Sequence, residues 1–166
     1  MALNWNDIES STMSTAEYLT YLKDKENLKE NYRKYSPKKS ILNKISQNVS
    51  KKNENLNILA IGAEWCKDCV KQVPRMLKIV KSINSNLIHF EILYGIKTNP
   101  FHKQGELPWH KERSPPEATD PKFGLEAIPT FYFFNKLGRF LGRIVESPEE
   151  NNSLEEDILK IIETNL

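Results

Sequence analysis

The sequence is short of several things, and each shortage closes a class of function. Of 166 residues only two are cysteine, six glycine and three histidine. Two cysteines make a single pair, so there is no framework of disulfides. No glycine-rich loop is present to cradle phosphates. No Ser/His/Asp arrangement and no carboxylate cluster with metal-ligand spacing stands out. No run approaches the ~20 apolar residues that a membrane-spanning helix needs. The opening MALNWNDIESSTMS has neither the basic n-region nor the apolar h-region of a secretory signal. A cytoplasmic protein is therefore the expectation. The basic stretches lack interleaved aromatic platforms, so nucleic acid is not an expected partner, and neither is a membrane.

What is present suits a globular protein of one domain's length, with 39% hydrophobic and 28% charged residues. The net charge of +2 is unevenly spread. Between Lys23 and Lys52, ten Lys and Arg residues stand against Asp24, Glu26 and Glu30, whereas seven acids from Glu146 onward face Lys160 alone. Such runs are ordinarily solvated helix faces; the basic one is also a candidate docking surface.

Ser14-Thr15-Ala16-Glu17 is a capping-box pattern, so a helix should begin there. Tyr18 and Leu22 share its face, and Leu28, Tyr32 and Tyr35 continue a helical period up to Ser36-Pro37. Ile41, Leu42, Ile45 and Val49 predict another helix from about Lys38. Leu56 to Ala63 and Leu87 to Leu93 read as strands. Between them a helix starts at Cys66 and holds Pro74 in its interior, where proline removes a backbone hydrogen bond. PTFYFF and RFLGRIVE, joined through Asn135 to Gly138, read as a hairpin. SLEEDILKIIETN closes the chain as a helix capped by Ser153. The stretch from Lys97 to Pro121 stands apart, with five of the nine prolines and two of the three histidines. Loops of that length in compact domains are functional or disordered. His102, Trp109 and His110 either line the rim of a site and choose its substrate or decorate a mobile loop, and Trp5 is a candidate anchor for the N-terminal segment.

The order α, α, β, α, β, long loop, β-hairpin, α predicts an α/β fold. Its mixed sheet would have about four strands with helices on both faces. Residues 1–37 would form a helical N-terminal extension to a domain over residues 38–166.

Both cysteines lie in NILAIGAEWCKDCVKQVPRMLKIV, two residues apart at a strand-to-helix junction. At a helix N-terminus, free N–H groups and the macrodipole favour a thiolate. Cys66 is thus the expected nucleophile. Cys69, one turn later, is placed to resolve a mixed disulfide. Lys67 should favour the thiolate, and Glu64 and Asp68 oppose it. Cys-x-x-Cys also begins zinc sites, but structural zinc takes four ligands. The chain has no other cysteine, and outside the predicted strands only His102 and His110 remain. No metal and no tightly bound cofactor is expected.

AEWCKDC followed by Pro74, then AIPTFYFF and GRFLGRIVE, resembles the thioredoxin superfamily over roughly Lys38 to Asn165. The resemblance implies a thioredoxin-like sheet and a cis Ile128–Pro129 peptide facing the cysteines. It gives Ile128 a backbone to offer to an extended substrate and makes Trp65 the aromatic beside the nucleophile. With Lys67 and Pro129 these form the expected substrate contact. WCxDC, with Asp68 before the second cysteine, looks like a related subgroup rather than the usual Gly-Pro form. Two departures stand out. Ala60 occupies the position of the family's buried Asp, and Glu91 is the nearest match to its basic neighbour. Asp68 or Glu91 is therefore the candidate proton shuttle. A first strand also looks to be missing.

The expectation is a thiol–disulfide oxidoreductase cycling through Cys66 and Cys69, in the reductive direction. Its substrate would be a disulfide-containing protein or a small-thiol disulfide, and its electron donor a thioredoxin-reductase-like enzyme or a small thiol. The alternative is a thioredoxin-fold binding or redox-sensing protein with little turnover, or one whose CxxC holds a metal.

Overall fold

In the computed structural model, which describes residues 2–166, most elements begin where capping and apolar spacing place them. The order is β1 (Met13–Ser14), α1 (Thr15–Lys23), α2 (Glu26–Lys34), α3 (Lys39–Lys51), β2 (Leu56–Ile61), α4 (Lys67–Ile83), β3 (Ile88–Leu93), β4 (Thr130–Phe134), β5 (Phe140–Val145) and α5 (Leu154–Asn165). Short 3-10 turns lie at Trp5–Asp7 and Pro116–Ala118. Ser14 accepts the Glu17 N–H while Glu17 accepts the Ser14 N–H. Ser153 and Glu156 repeat this box at α5. Each box satisfies two donors that the helix itself leaves orphaned.

The strands form one mixed sheet in the order β1-β3-β2-β4-β5. β2 and β3 are parallel, as the α4 crossover between them requires, and the other pairs are antiparallel. The sheet therefore has five strands rather than about four, and the first strand is not missing. Met13 and Ser14 pair with Ile92 and Glu91. Two residues are too few to show a period-2 alternation, and Ser14 is at once strand residue and helix N-cap, so the helical signal masks it.

Alternation along the strands divides the sheet into two faces. Ile58, Ala60, Phe90, Ile92, Phe131 and Phe133 share one. On this face Ile161 of α5 meets Gly142, and α4 seats Cys69 against Gly62. Leu59, Glu91, Tyr132 and Phe134 point the other way. That second face is closed by 3-10 turns and loop, so the expectation of helices on both faces is met there only by 3-10 turns. Trp5 packs edge-on to Phe134 at 5.3 Å, and Phe123 edge-on to Tyr132 at 5.6 Å. The Tyr132 hydroxyl donates to the Phe123 carbonyl at 2.8 Å.

The long stretch after β3 is built into this second layer. Trp109 is buried, and its indole N–H donates to the Leu125 carbonyl. The Ser114 hydroxyl accepts the Lys97 N–H at 2.9 Å and donates to the Lys97 carbonyl at 3.1 Å. Buried Glu117 accepts the N–H groups of Glu9 and Ser10, at 2.7 and 2.9 Å, and the Ser10 hydroxyl at 2.6 Å. Glu117 ties residues 97–125 to the N-terminal segment, the Tyr132 hydroxyl ties Phe123 to the sheet, and the other bonds close the stretch on itself.

Candidate active site

β2 ends at Ile61, and the chain turns through Gly62 to Trp65 into α4, whose N-cap is Cys66. The Cys66 sulfur accepts the Cys69 N–H at 3.3 Å, the part a Ser or Asp oxygen plays at other helix starts. Its thiol donates to the Ile128 carbonyl at 3.5 Å. The Ile128–Pro129 peptide is cis, and both residues are buried. Both cysteines are free thiols. Cys66 keeps 8% of its surface and Cys69 none, so of the two sulfurs it is Cys66 that borders solvent.

Cys69 is enclosed from below by backbone and from the side by tyrosines. Its sulfur accepts the Ala63 N–H at 3.4 Å. A Cβ at position 62 would stand 2.7 Å from that sulfur and 3.3 Å from the Tyr94 ring, so Gly62 makes room for both. The Tyr94 and Tyr18 hydroxyls share a hydrogen bond of 3.1 Å, with the Tyr21 ring beside them. Burial pushes the Cys69 thiol well above the ordinary thiol range. The Ala63 N–H partly offsets this, and the charges of Cys66 and Asp68 add to the rise. Burial likewise raises Tyr18 and Tyr94.

The remaining sequence-derived candidates divide. Trp65 is 50% exposed, and its indole N–H donates to the Ile96 carbonyl at 2.9 Å. Lys67 and Asp68 are exposed on the first turn of α4. Glu91 lies elsewhere. The register pairs Ala60 with Ile92, so Glu91 points to the opposite face of the sheet from Ala60. There it accepts from the Thr12 hydroxyl and bonds His89, and neither cysteine is among its partners. Trp109, read from the sequence as a rim or mobile-loop residue, is in the core instead, where its indole N–H meets the Leu125 carbonyl. His110 lies on the Trp65 side of the insert, in a cleft with Lys97, Phe101 and Arg113. Among the described residues no group of three or more His, Cys, Asp or Glu is placed to hold a metal. No helix there is long and apolar enough to cross a membrane.

Sequence reasoning missed Gly62 and Tyr94. Tyr18 was legible as a buried helix position, but nothing in linear spacing puts residue 18 beside residue 94.

A family model described as thioredoxin matches residues 12–95, half of the chain, from β1 to just beyond β3. No curated protein matches. Among solved structures, an HIV epitope scaffold aligns over 93% of this chain and 94% of its own, at 15% identity and a TM-score of 0.63. A Pseudomonas aeruginosa protein of unknown function aligns over 84% and 83%, at 20% identity and a TM-score of 0.55. Fasciola hepatica thioredoxin is similar over 74% of this chain and 91% of its own, at 17% identity and a TM-score of 0.41. At such identities the first two likenesses concern the fold alone.

Proposed function

The chain belongs to the thioredoxin family, and from that premise we propose that it is a thiol–disulfide oxidoreductase working through Cys66 and Cys69. The observation that carries this reading is the placement of the Cys66 sulfur. It caps α4, touches the Ile128 carbonyl and is the more accessible of two cysteines one turn apart.

In the first step the Cys66 thiolate attacks one sulfur of a substrate disulfide. A bond forms between Cys66 and that sulfur, the substrate S–S bond breaks, and the second substrate sulfur leaves as a thiolate. Cys69 then loses its proton and attacks Cys66, and the first substrate sulfur leaves in turn. The protein ends with a Cys66–Cys69 disulfide, having given two electrons to the substrate. The displaced thiolates take up the two protons that the cysteines give. A reductase or a small thiol must return the electrons, and a cytoplasmic setting favours this reductive direction.

Trp65, Lys67, Ile128 and Pro129 supply the surface on which the extended substrate lies. Ile128 offers its carbonyl, and Trp65 offers its half-exposed ring. Cys69 has to deprotonate while buried, and Asp68 is the carboxylate whose charge reaches it. We assign the proton shuttle to Asp68 in preference to Glu91, which is engaged with Thr12 and His89.

The test is the equilibrium of the cysteine pair against defined thiol buffers, together with turnover of a generic protein disulfide. A reversible couple near roughly −270 mV is expected for a reductase, whereas a value nearer about −150 mV would point to an oxidase or isomerase. Cys66→Ser should abolish turnover. A pair that forms no reversible disulfide would sink the proposal and leave the binding or sensing reading in its place.

A further inference from the structure

One wall of the site is not used by the chemistry above. Beside Trp65 the insert opens a cleft of about 600 Å³, within the size range of ligand-binding clefts. Its lining combines two aromatics and three basic side chains: Trp65 and Phe101, with Lys97, His110 and Arg113. No carboxylate lines it.

The cleft is built rather than incidental. Thr98 and Trp109 form an antiparallel bridge, and the His110 N–H donates to the Lys97 carbonyl at 2.7 Å. Lys97 and His110 are thereby held side by side, with Ser114 clamping the Lys97 backbone from behind. His110 Nδ1 accepts the Arg113 N–H at 3.1 Å, which fixes the ring and leaves Nε2 for a ligand. Among the described residues neither Lys97 nor Arg113 has an acidic partner within salt-bridge distance. Phe101 is 88% exposed and Trp65 50%, an unusual outlay of aromatic surface on a soluble domain. Aromatic side chains and arginine are the residue types enriched in protein–protein contacts.

Trp65 is at once a wall of this cleft and the residue before the nucleophile. Anything docked here lies one or a few residues from the disulfide under attack, since an extended chain spans about 3.3 Å per residue. We propose that this cleft is a specificity subsite for substrate polypeptides with acidic residues flanking the reactive cysteine. The carboxylates pair with Lys97, Arg113 and His110, and a neighbouring apolar side chain packs between Trp65 and Phe101. The subsite rests on the oxidoreductase reading for its purpose but not for its detection, because docking is measurable without turnover.

The experiment uses two peptides that differ only in charge. Each carries serine in place of the substrate cysteine, flanked by glutamates in one and by lysines in the other. Binding to the intact protein is followed by tryptophan fluorescence. The glutamate peptide should bind about tenfold more tightly at low salt, the sum of two exposed ion pairs, with Lys97 and Arg113, and a hydrogen bond from His110 Nε2. The preference should shrink as ionic strength rises. Charge reversal by Lys97→Glu with Arg113→Glu should invert the preference, and Lys97→Gln with Arg113→Gln should erase it. Equal affinity for the two peptides, or a preference untouched by these variants, overturns the proposal. So does salt-sensitive binding of oxidised glutathione with no discrimination between the peptides, which would make the occupant a small anion. Turnover of an uncharged small disulfide, measured separately, reports on the oxidoreductase reading alone.

Discussion

Two regions meet at Trp65, the β2–α4 junction and the insert from Lys97 to Leu125, and they are held in place by different means. The junction is held by periodic structure. β2 is paired on both sides, α4 crosses to β3, and the cysteines take their positions from the helix N-cap. The insert has almost no periodic structure. Its order comes from single bonds between distant residues: Glu117 to Glu9 and Ser10, Trp109 to Leu125, Ser114 to Lys97. A segment can thus be as well seated as a strand without showing any repeat along the chain. It then depends on a few side chains rather than on a ladder, and the loss of one should be felt throughout it.

That difference can be broken most severely at Trp109. Trp109→Ala removes a buried indole and leaves the Leu125 carbonyl without its donor. A loss of about 3–5 kcal/mol in urea denaturation is expected, as for large-to-small changes in a core. A loss under about 1 kcal/mol would show that the insert lies outside the cooperative core. On the junction side the corresponding change is an addition. Gly62→Ala places a Cβ 2.7 Å from the Cys69 sulfur, so the sulfur or the backbone must shift. Overpacking of this kind costs about 1–3 kcal/mol. The mixed disulfide at Cys66 should also live longer, because the resolving sulfur is displaced; trapping with a labelled substrate measures its lifetime.

The smallest effects separate the two regions by pH. Burial tends to raise the Glu117 carboxyl, but the hydrogen bonds from Ser10 and Glu9 outweigh it and hold the group below its ordinary range. Its contribution is therefore present above the unfolded value of about 4.3 and is lost as pH falls through the lower folded value. For Cys69 the shift is upward, so its contribution is present below the unfolded thiol value of about 8.5 and is lost as pH rises beyond it. Stability of the reduced protein should decline at both ends. Glu117→Gln should make the acid limb shallower without removing it, since Asp7, Glu17, Glu30 and Glu156 are also held below their ordinary range, and Cys69→Ala should act on the alkaline limb alone. Urea midpoints between pH 3 and 9.5 would show it. If either variant flattens both limbs, the two regions are not energetically separate.

The sequence was most legible where one residue type had one local job. The capping boxes at Ser14 and Ser153, the apolar spacing of α3 and α4, and the hairpin about Asn135 to Gly138 were all readable because a local pattern meets its partner within a few residues. The cysteine pair was readable for the same reason, a helix start being a local event. The face on which Glu91 lies was not legible, because its place next to the motif strand was inferred from likeness alone. A register in which Ala60 meets Ile92 turns Glu91 to the other face. One residue of register decides this, since side chains alternate along a strand.

By itself, then, the amino-acid order determined the helices, the paired strands and the cysteines at a helix N-terminus, because these follow from periodicity, capping and backbone sterics. Only the tertiary structure decided the rest. The two-residue edge strand exists because β3 offers it a partner. Tyr18 meets Tyr94 and Gly62 admits Cys69 because α1 and α4 are brought to the same end of the sheet. The cleft beside Trp65 exists because Lys97 and His110 are bridged across a loop. Contacts between residues far apart in sequence are set by the packing of whole elements, and no local pattern encodes where that packing will bring them.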